Sequence, residues 1–177
     1  LHNLFTLLEY KSGLLSTVTN KIAGREVSAT LTTPDPLRIN RLLRSMVDEG
    51  CKYAFMEVSS HAIVQKRISG LLFTMAVFTN ITHDHLDYHG SFDNYLKAKK
   101  EFFDGLPPAS LALVNIDDRN GRVMLQNCKA DKYEYSLKTM ADFNCKVLEN
   151  RFDGMNLKFG NDEVWTSFIG EFNAYNL

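Results

Sequence analysis

Short apolar runs alternate along the chain with stretches in which apolar residues recur every three or four positions. Residues 1–10 show helical spacing, 13–18 read as a strand, and 21–32 as an extended excursion. Thr33-Pro34-Asp35-Pro36 is a loop, because the prolines forbid regular pairing and bias Thr33 and Asp35 to extended backbone. Leu37, Ile39, Leu42, Leu43, Met46 and Val47 form one helix stripe that stops near Gly50. Residues 53–58, 73–79 and 111–116 are apolar runs of the length of buried strands, and 60–67, 91–106 and 118–127 are helical patterns. This alternation predicts right-handed βαβ units, hence an α/β fold with a mostly parallel sheet and flanking helices. Beyond Asp142 three short strand-like segments, parted at 150–154 and 160–162, predict a small antiparallel sheet near the C-terminus.

At 177 residues the chain is long enough for one domain with its own core. A net charge of −1 argues against a broad nucleic-acid or membrane surface, and no apolar run approaches a membrane span. There is no signal-peptide pattern at Leu1. Cys51, Cys128 and Cys145 lie far apart without metal-ligand spacing and read as reduced thiols of a cytoplasmic protein. Both ends read as cuts within a larger protein: the first helix has no cap before it, and 170–177 look like a helix begun and interrupted.

Ligands of open α/β sheets collect beyond the carboxyl ends of the strands, so the polar residues at the three predicted strand exits are the candidates for chemistry. Glu57 falls inside the apolar segment Phe55-Met56-Glu57-Val58; a buried carboxylate there needs either a divalent cation or a Lys or Arg partner. His83-Asp84-His85-Leu86-Asp87-Tyr88-His89 packs three imidazoles and two carboxylates into seven residues, which suits a metal or simply a polar loop with hydrogen-bonded histidines. Lys99 lies in the middle of the apolar stripe Phe92, Tyr95, Leu96, Phe102, Phe103 and Leu106, whereas Lys97 and Lys100 fall outside it. Desolvation there lowers an amine's pKa, so Lys99 becomes neutral enough to react with carbon dioxide, or else it snorkels past the aromatics or pairs with an acid. Ser59 and Ser60 sit at a strand-to-helix turn and serve as caps or as a phosphate seat. Gln65 and Arg67 follow, the arginine within reach of a diphosphate or carboxylate or else exposed on the surface, and Thr32-Thr33 offer hydroxyls on the rigid loop.

Taken together, the segments Leu14-Leu15-Ser16-Thr17-Val18, Thr32-Thr33-Pro34-Asp35-Pro36, Met56-Glu57-Val58-Ser59-Ser60-His61, Val77-Phe78-Thr79-Asn80, Asp84-His85-Leu86-Asp87-Tyr88-His89-Gly90, Tyr95-Leu96-Lys97-Ala98-Lys99, Asn115-Ile116-Asp117-Asp118 and Gly170-Glu171-Phe172-Asn173-Ala174-Tyr175-Asn176-Leu177 resemble the central domain of the Mur ligases in order and spacing. The pattern is most similar to members that add the third amino acid, meso-diaminopimelate or L-lysine, to UDP-MurNAc-L-Ala-D-Glu. The resemblance implies a P-loop-NTPase-like fold, ATP and Mg²⁺ as cofactors, UDP-MurNAc-dipeptide and an amino acid as substrates, and a monomeric cytoplasmic parent enzyme. In such ligases ATP phosphorylates the substrate carboxylate, an amine attacks the acyl phosphate, and the tetrahedral intermediate collapses to amide and phosphate.

By resemblance Glu57 and His85 are magnesium ligands, and Lys99 is carbamylated and supports a second metal. Thr32, Thr33, Ser59, Gln65 and Arg67 grip the UDP-muramoyl dipeptide, and Asn173 lies near the adenine. The family's phosphate loop, its N-terminal uridine-binding domain and its C-terminal domain are not matched within these residues, so 1–177 read as a partial central domain, inactive alone. Leu31 stands where the family often has Asn, and His83 where members vary. Three other readings stay open: a related ligase such as folylpolyglutamate synthetase, a metal-dependent phosphohydrolase built on the His/Asp cluster, and a non-catalytic binding module.

Overall fold

The computed structural model describes residues 1–177, which divide into two units, Leu1–Leu71 and Leu72–Leu177. The first opens with helix α1 (His2–Leu7) and strand β1 (Ser12–Leu15), followed by a hairpin of β2 (Thr19–Ile22) and β3 (Arg25–Ser28). Helix α2 (Pro36–Asp48), strand β4 (Tyr53–Met56) and the short helix α3 (Ser60–Val64) complete it. The hairpin turns on Ala23 (φ 48°) and Gly24 (φ 88°), the two successive positive φ values of a tight turn that matches strand twist. The sheet order is β3-β2-β1-β4, with β4 parallel to β1 and the other pairs antiparallel. Asp35 caps α2 by accepting from the Arg38 N–H at 3.0 Å, and that bond holds its carboxyl below the usual carboxylate range. Leu15, Ile22, Ile39, Leu42 and Met46 form the core. In α1, by contrast, Leu4 and Leu7 are exposed and His2 is buried, so its apolar spacing is not a core stripe.

The second unit runs β5 (Met75–Phe78), α4 (Leu86–His89), α5 (Phe92–Asp104), β6 (Leu111–Asn115), α6 (Gly121–Leu125), β7 (Asp131–Ser136), β8 (Phe143–Arg151), β9 (Gly154–Phe159) and β10 (Asp162–Thr166). It ends in a 3-10 turn at Glu171–Tyr175. Its sheet order is β10-β9-β8-β7-β6-β5, parallel from β5 to β8 and antiparallel from β8 to β10. One core gathers Phe78, Tyr95, Phe103, Val114 and Met124; a second, around Met155 and Leu157, is closed by Ala174 of the 3-10 turn.

The α/β class, the mostly parallel pairing of the six-stranded sheet and the antiparallel addition to it agree with the sequence reading, with three corrections. The strands expected to share one sheet are divided: Tyr53–Met56 pairs with β1, while Met75–Phe78 and Leu111–Asn115 pair with each other. A strand to which the sequence pattern assigned no element, Asp131–Ser136, stands between β6 and β8. The helix expected at 60–67 stops at Val64, because Lys66 takes a left-handed φ of 56°. No helix is long and apolar enough to cross a membrane, and all three cysteines are free.

Candidate active site

In the first unit the parallel β1/β4 ladder ends with Leu15 beside Met56, and the Glu57 N–H donates to the Leu15 carbonyl at 2.9 Å. That register carries Thr17 up to Glu57. The Glu57 Oε2 accepts from the Thr17 backbone N–H at 2.8 Å and from its hydroxyl at 2.6 Å. Glu57 therefore lies just past the strand and is exposed, not buried within it as its apolar neighbours implied. Its partner is a threonine and not the Lys or Arg weighed as the alternative to a cation, and its Oε1 makes no protein hydrogen bond.

The two threonines of the rigid loop differ in kind. Thr33 is 1% exposed; its hydroxyl donates to the Glu57 carbonyl at 2.8 Å and accepts from the Ser59 N–H at 3.0 Å. Thr33 thus fixes the backbone that carries Glu57. Thr32 is only half-buried, and its hydroxyl oxygen lies 3.0 Å from that of Thr17. Ser59 caps α3, accepting from the Ala62 N–H at 3.2 Å. Arg67 donates from Nη1 to the Thr33 carbonyl at 2.8 Å and from Nε and Nη2 to the Gln65 Oε1 at 2.9 and 2.5 Å. Three of the guanidinium's five N–H donors are spent in this way, and the rest suit an anion. All five residues predicted to grip substrate, together with Glu57, thus belong to this unit.

In the second unit, the loops leaving β5 and β6 are tied together. Asn115 donates to the Thr79 carbonyl at 2.8 Å, and the Asp118 carboxylate accepts from the Ile81 N–H at 2.9 Å. From this root the histidine-rich segment rises. His83 packs on Phe92 with ring centroids 4.7 Å apart, and buried His89 stacks on Tyr95 at 5.1 Å. His85, at a left-handed φ of 55° before α4, keeps a half-exposed ring 3.6 Å from the Asp84 carboxylate and edge-on to Tyr95. Tyr95 is the hub, since the Lys99 Nζ also lies 5.3 Å from its ring centre.

Lys99 is partly buried, and burial pushes its amine down, against the opposing pull of Asp84. No carboxylate lies within salt-bridge distance of it, so Asp84 acts on it only from farther off, and its contact with the Tyr95 ring is also what a lysine snorkelling past aromatics would make. Lys100, expected off the stripe, is more deeply covered than that position implied, but it is spent on Asp104 at 2.6 Å. Asn173, in the 3-10 turn, donates to the Ile169 carbonyl at 2.9 Å.

No three His, Cys, Asp or Glu side chains gather into a ready-made metal cage. Magnesium makes a smaller demand. It favours oxygen ligands and is held by one or two carboxylates plus phosphates and water. The free Glu57 oxygen on the first unit suits that ion. Two groups stood in segments singled out in the sequence but were given no role there. Thr17 would have required the β1/β4 register. Asp117 accepts from the Ser136 hydroxyl (2.7 Å), the Leu137 N–H (2.8 Å) and the Tyr175 hydroxyl (3.0 Å), so it ties the exit of β6 to the 3-10 turn bearing Asn173.

Comparison with known proteins places this geometry in a lineage. The chain is 58% identical over all 177 residues to the UDP-N-acetylmuramoyl-L-alanyl-D-glutamate--2,6-diaminopimelate ligase of Phocaeicola vulgatus, and spans 37% of that relative's length. A solved structure of a ligase of the same name superposes on 99% of the chain and 37% of its own, with a TM-score of 0.81 and 25% identity. The MurF ligase from Thermotoga maritima, solved in complex with ADP, shares the fold at a TM-score of 0.65 and 14% identity, over 99% of this chain and 39% of its own. The Mur ligase middle domain profile matches residues 2–177, and with that match over nearly its whole length the chain belongs to the Mur ligase middle-domain family.

Proposed function

We propose that this chain is the central domain of a cytoplasmic, monomeric, ATP-dependent ligase that joins diaminopimelate to UDP-MurNAc-L-Ala-D-Glu. The observation that carries the reading is Lys99: a partly buried amine, lowered by desolvation, without an acid partner, beside Tyr95 and on the same unit as His85. The names of the relatives support the reaction and favour diaminopimelate over lysine. The ADP in the Thermotoga maritima structure supports ATP as the phosphoryl donor. Because the chain spans about a third of its relatives' length, the activity belongs to the full-length protein.

In this reading the neutral Lys99 amine adds to carbon dioxide; an N–C bond forms, one proton leaves, and an anionic carbamate results. Glu57 on the first unit and His85 on the second would each serve as magnesium ligands, and the carbamate would support a second metal; such ions would supply positive charge to phosphate oxygens. Thr32, Ser59, Gln65 and Arg67 hold the UDP-muramoyl dipeptide, and Thr33 fixes the loop beneath them. Asn173 lies at the adenine.

The test is phosphate release by the full-length protein, expected only when UDP-MurNAc-dipeptide, diaminopimelate and Mg²⁺ are all present. Lys99→Ala should lower kcat by about 10²-fold or more, with partial rescue by short carboxylates. A carbamate ¹³C resonance, seen in the parent protein under ¹³C-bicarbonate, should vanish in the variant. An undiminished rate in Lys99→Ala would remove the carbamate. Phosphate release without the amino acid would favour a hydrolase.

A further inference from the structure

We infer that Thr17 is a positioning residue: it clamps one oxygen of Glu57 so that the other is presented to the cation. The inference rests on the proposed role of Glu57 as a magnesium ligand. Thr17 reaches the same carboxylate oxygen twice, from its N–H at 2.8 Å and its hydroxyl at 2.6 Å, while the other oxygen makes no bond to protein. A carboxylate held in that way loses rotational freedom and presents its other oxygen, with both lone pairs, in a fixed direction.

The clamp is itself rigid. The Ser16 hydroxyl donates to the Thr19 carbonyl at 2.6 Å, and the Ser16 N–H donates to the side chain of Asn20, which is wholly buried. Thr17 is therefore set in a knitted turn instead of a loose loop. On the far side its hydroxyl oxygen lies 3.0 Å from that of Thr32. Because a hydroxyl has one proton, and that of Thr17 goes to the carboxylate, Thr32 is the donor in this contact. Thr32 then faces its ligand with lone pairs only and selects an N–H or O–H group.

The experiment uses the full-length protein saturated with ADP and reads Mn²⁺ binding by electron paramagnetic resonance, which needs no turnover. Thr17→Val should weaken Mn²⁺ binding about tenfold, the size typical when a group orienting a metal ligand is removed. Thr17→Ser, which keeps both bonds, should bind within about twofold of the parent. Glu57→Gln should bind at least as weakly as Thr17→Val. Thr17 is exposed, so the valine empties no core; Thr17→Ala removes the same hydroxyl should the valine lower the Tm. Parent-like Mn²⁺ affinity in Thr17→Val and Thr17→Ala beside a weakened Glu57→Gln overturns the inference alone. Parent-like affinity in Glu57→Gln overturns the role of Glu57 itself.

Discussion

Asp117 shows how one carboxylate can organise three elements. Burial pushes its carboxyl up, but bonds from Ser136, Leu137 and Tyr175 outweigh that and leave it below its ordinary value of 3.8. The same contact and desolvation push the Tyr175 phenol up, so it stays protonated and donates. Asp117→Asn replaces an acceptor-only group by one that turns a donor toward donors, and should cost about 1–3 kcal/mol at neutral pH. A lowered folded pKa gives stability that is full above the ordinary value and lost as pH falls through the folded one. The gap between parent and variant in urea titrations should therefore close below about pH 3.8. Nothing in the string Asn115-Ile116-Asp117-Asp118 foretold this, because Ser136 and Tyr175 are distant in sequence. Lys99 was legible, since its angular place on a helix stripe is a local property. Glu57 was only half so: the composition of its neighbours extended the strand two residues too far, and exposure depends on where pairing with β1 stops.

At the scale of elements, close packing decides what each can tolerate. A Cβ on Gly121 would stand 2.0 Å from the Asn115 carbonyl oxygen, which is backbone and cannot step aside. A Cβ on Gly13 would meet the Met46 thioether at 2.2 Å, the flexible end of a side chain. Gly121→Ala should accordingly cost about 1–3 kcal/mol or more, and Gly13→Ala less, as read from the shift in urea midpoint. Strongly patterned elements were plain in the sequence: α2 and α5 were found within two residues, each with the cap its Asp35 or Ser91 supplies. Strand β7 was not, because Asp131-Lys132-Tyr133-Glu134-Tyr135-Ser136 carries no apolar run. It pairs in parallel on both sides, with charged side chains that reach solvent or, like Glu134, an arginine: Arg122 engages Glu134 through two bonds of 2.9 and 3.0 Å.

For the molecule as a whole, each unit has an apolar core of its own, and the family resemblance covers both. The fold class followed from alternation alone, whereas the division into two sheets did not, since an apolar strand does not state its neighbour. Strand β8 serves two kinds of neighbour, pairing in parallel with β7 through Phe143 and Asn144 and antiparallel with β9 from Cys145 onward. Its ladder pairs Val147 with Leu157 and Glu149 with Asn156, which leaves Leu148 as a supernumerary residue bulged outward and 45% exposed. Such a residue acts as a slip joint. Removing Leu148 would splice Val147 to Glu149 in unbroken register and turn no inward side chain outward, whereas removing Leu157 would invert one arm of β9. The Leu148 deletion should keep its Tm within a few degrees of the parent and the Leu157 deletion should not, marking β8 as the place where this sheet can shorten by one residue.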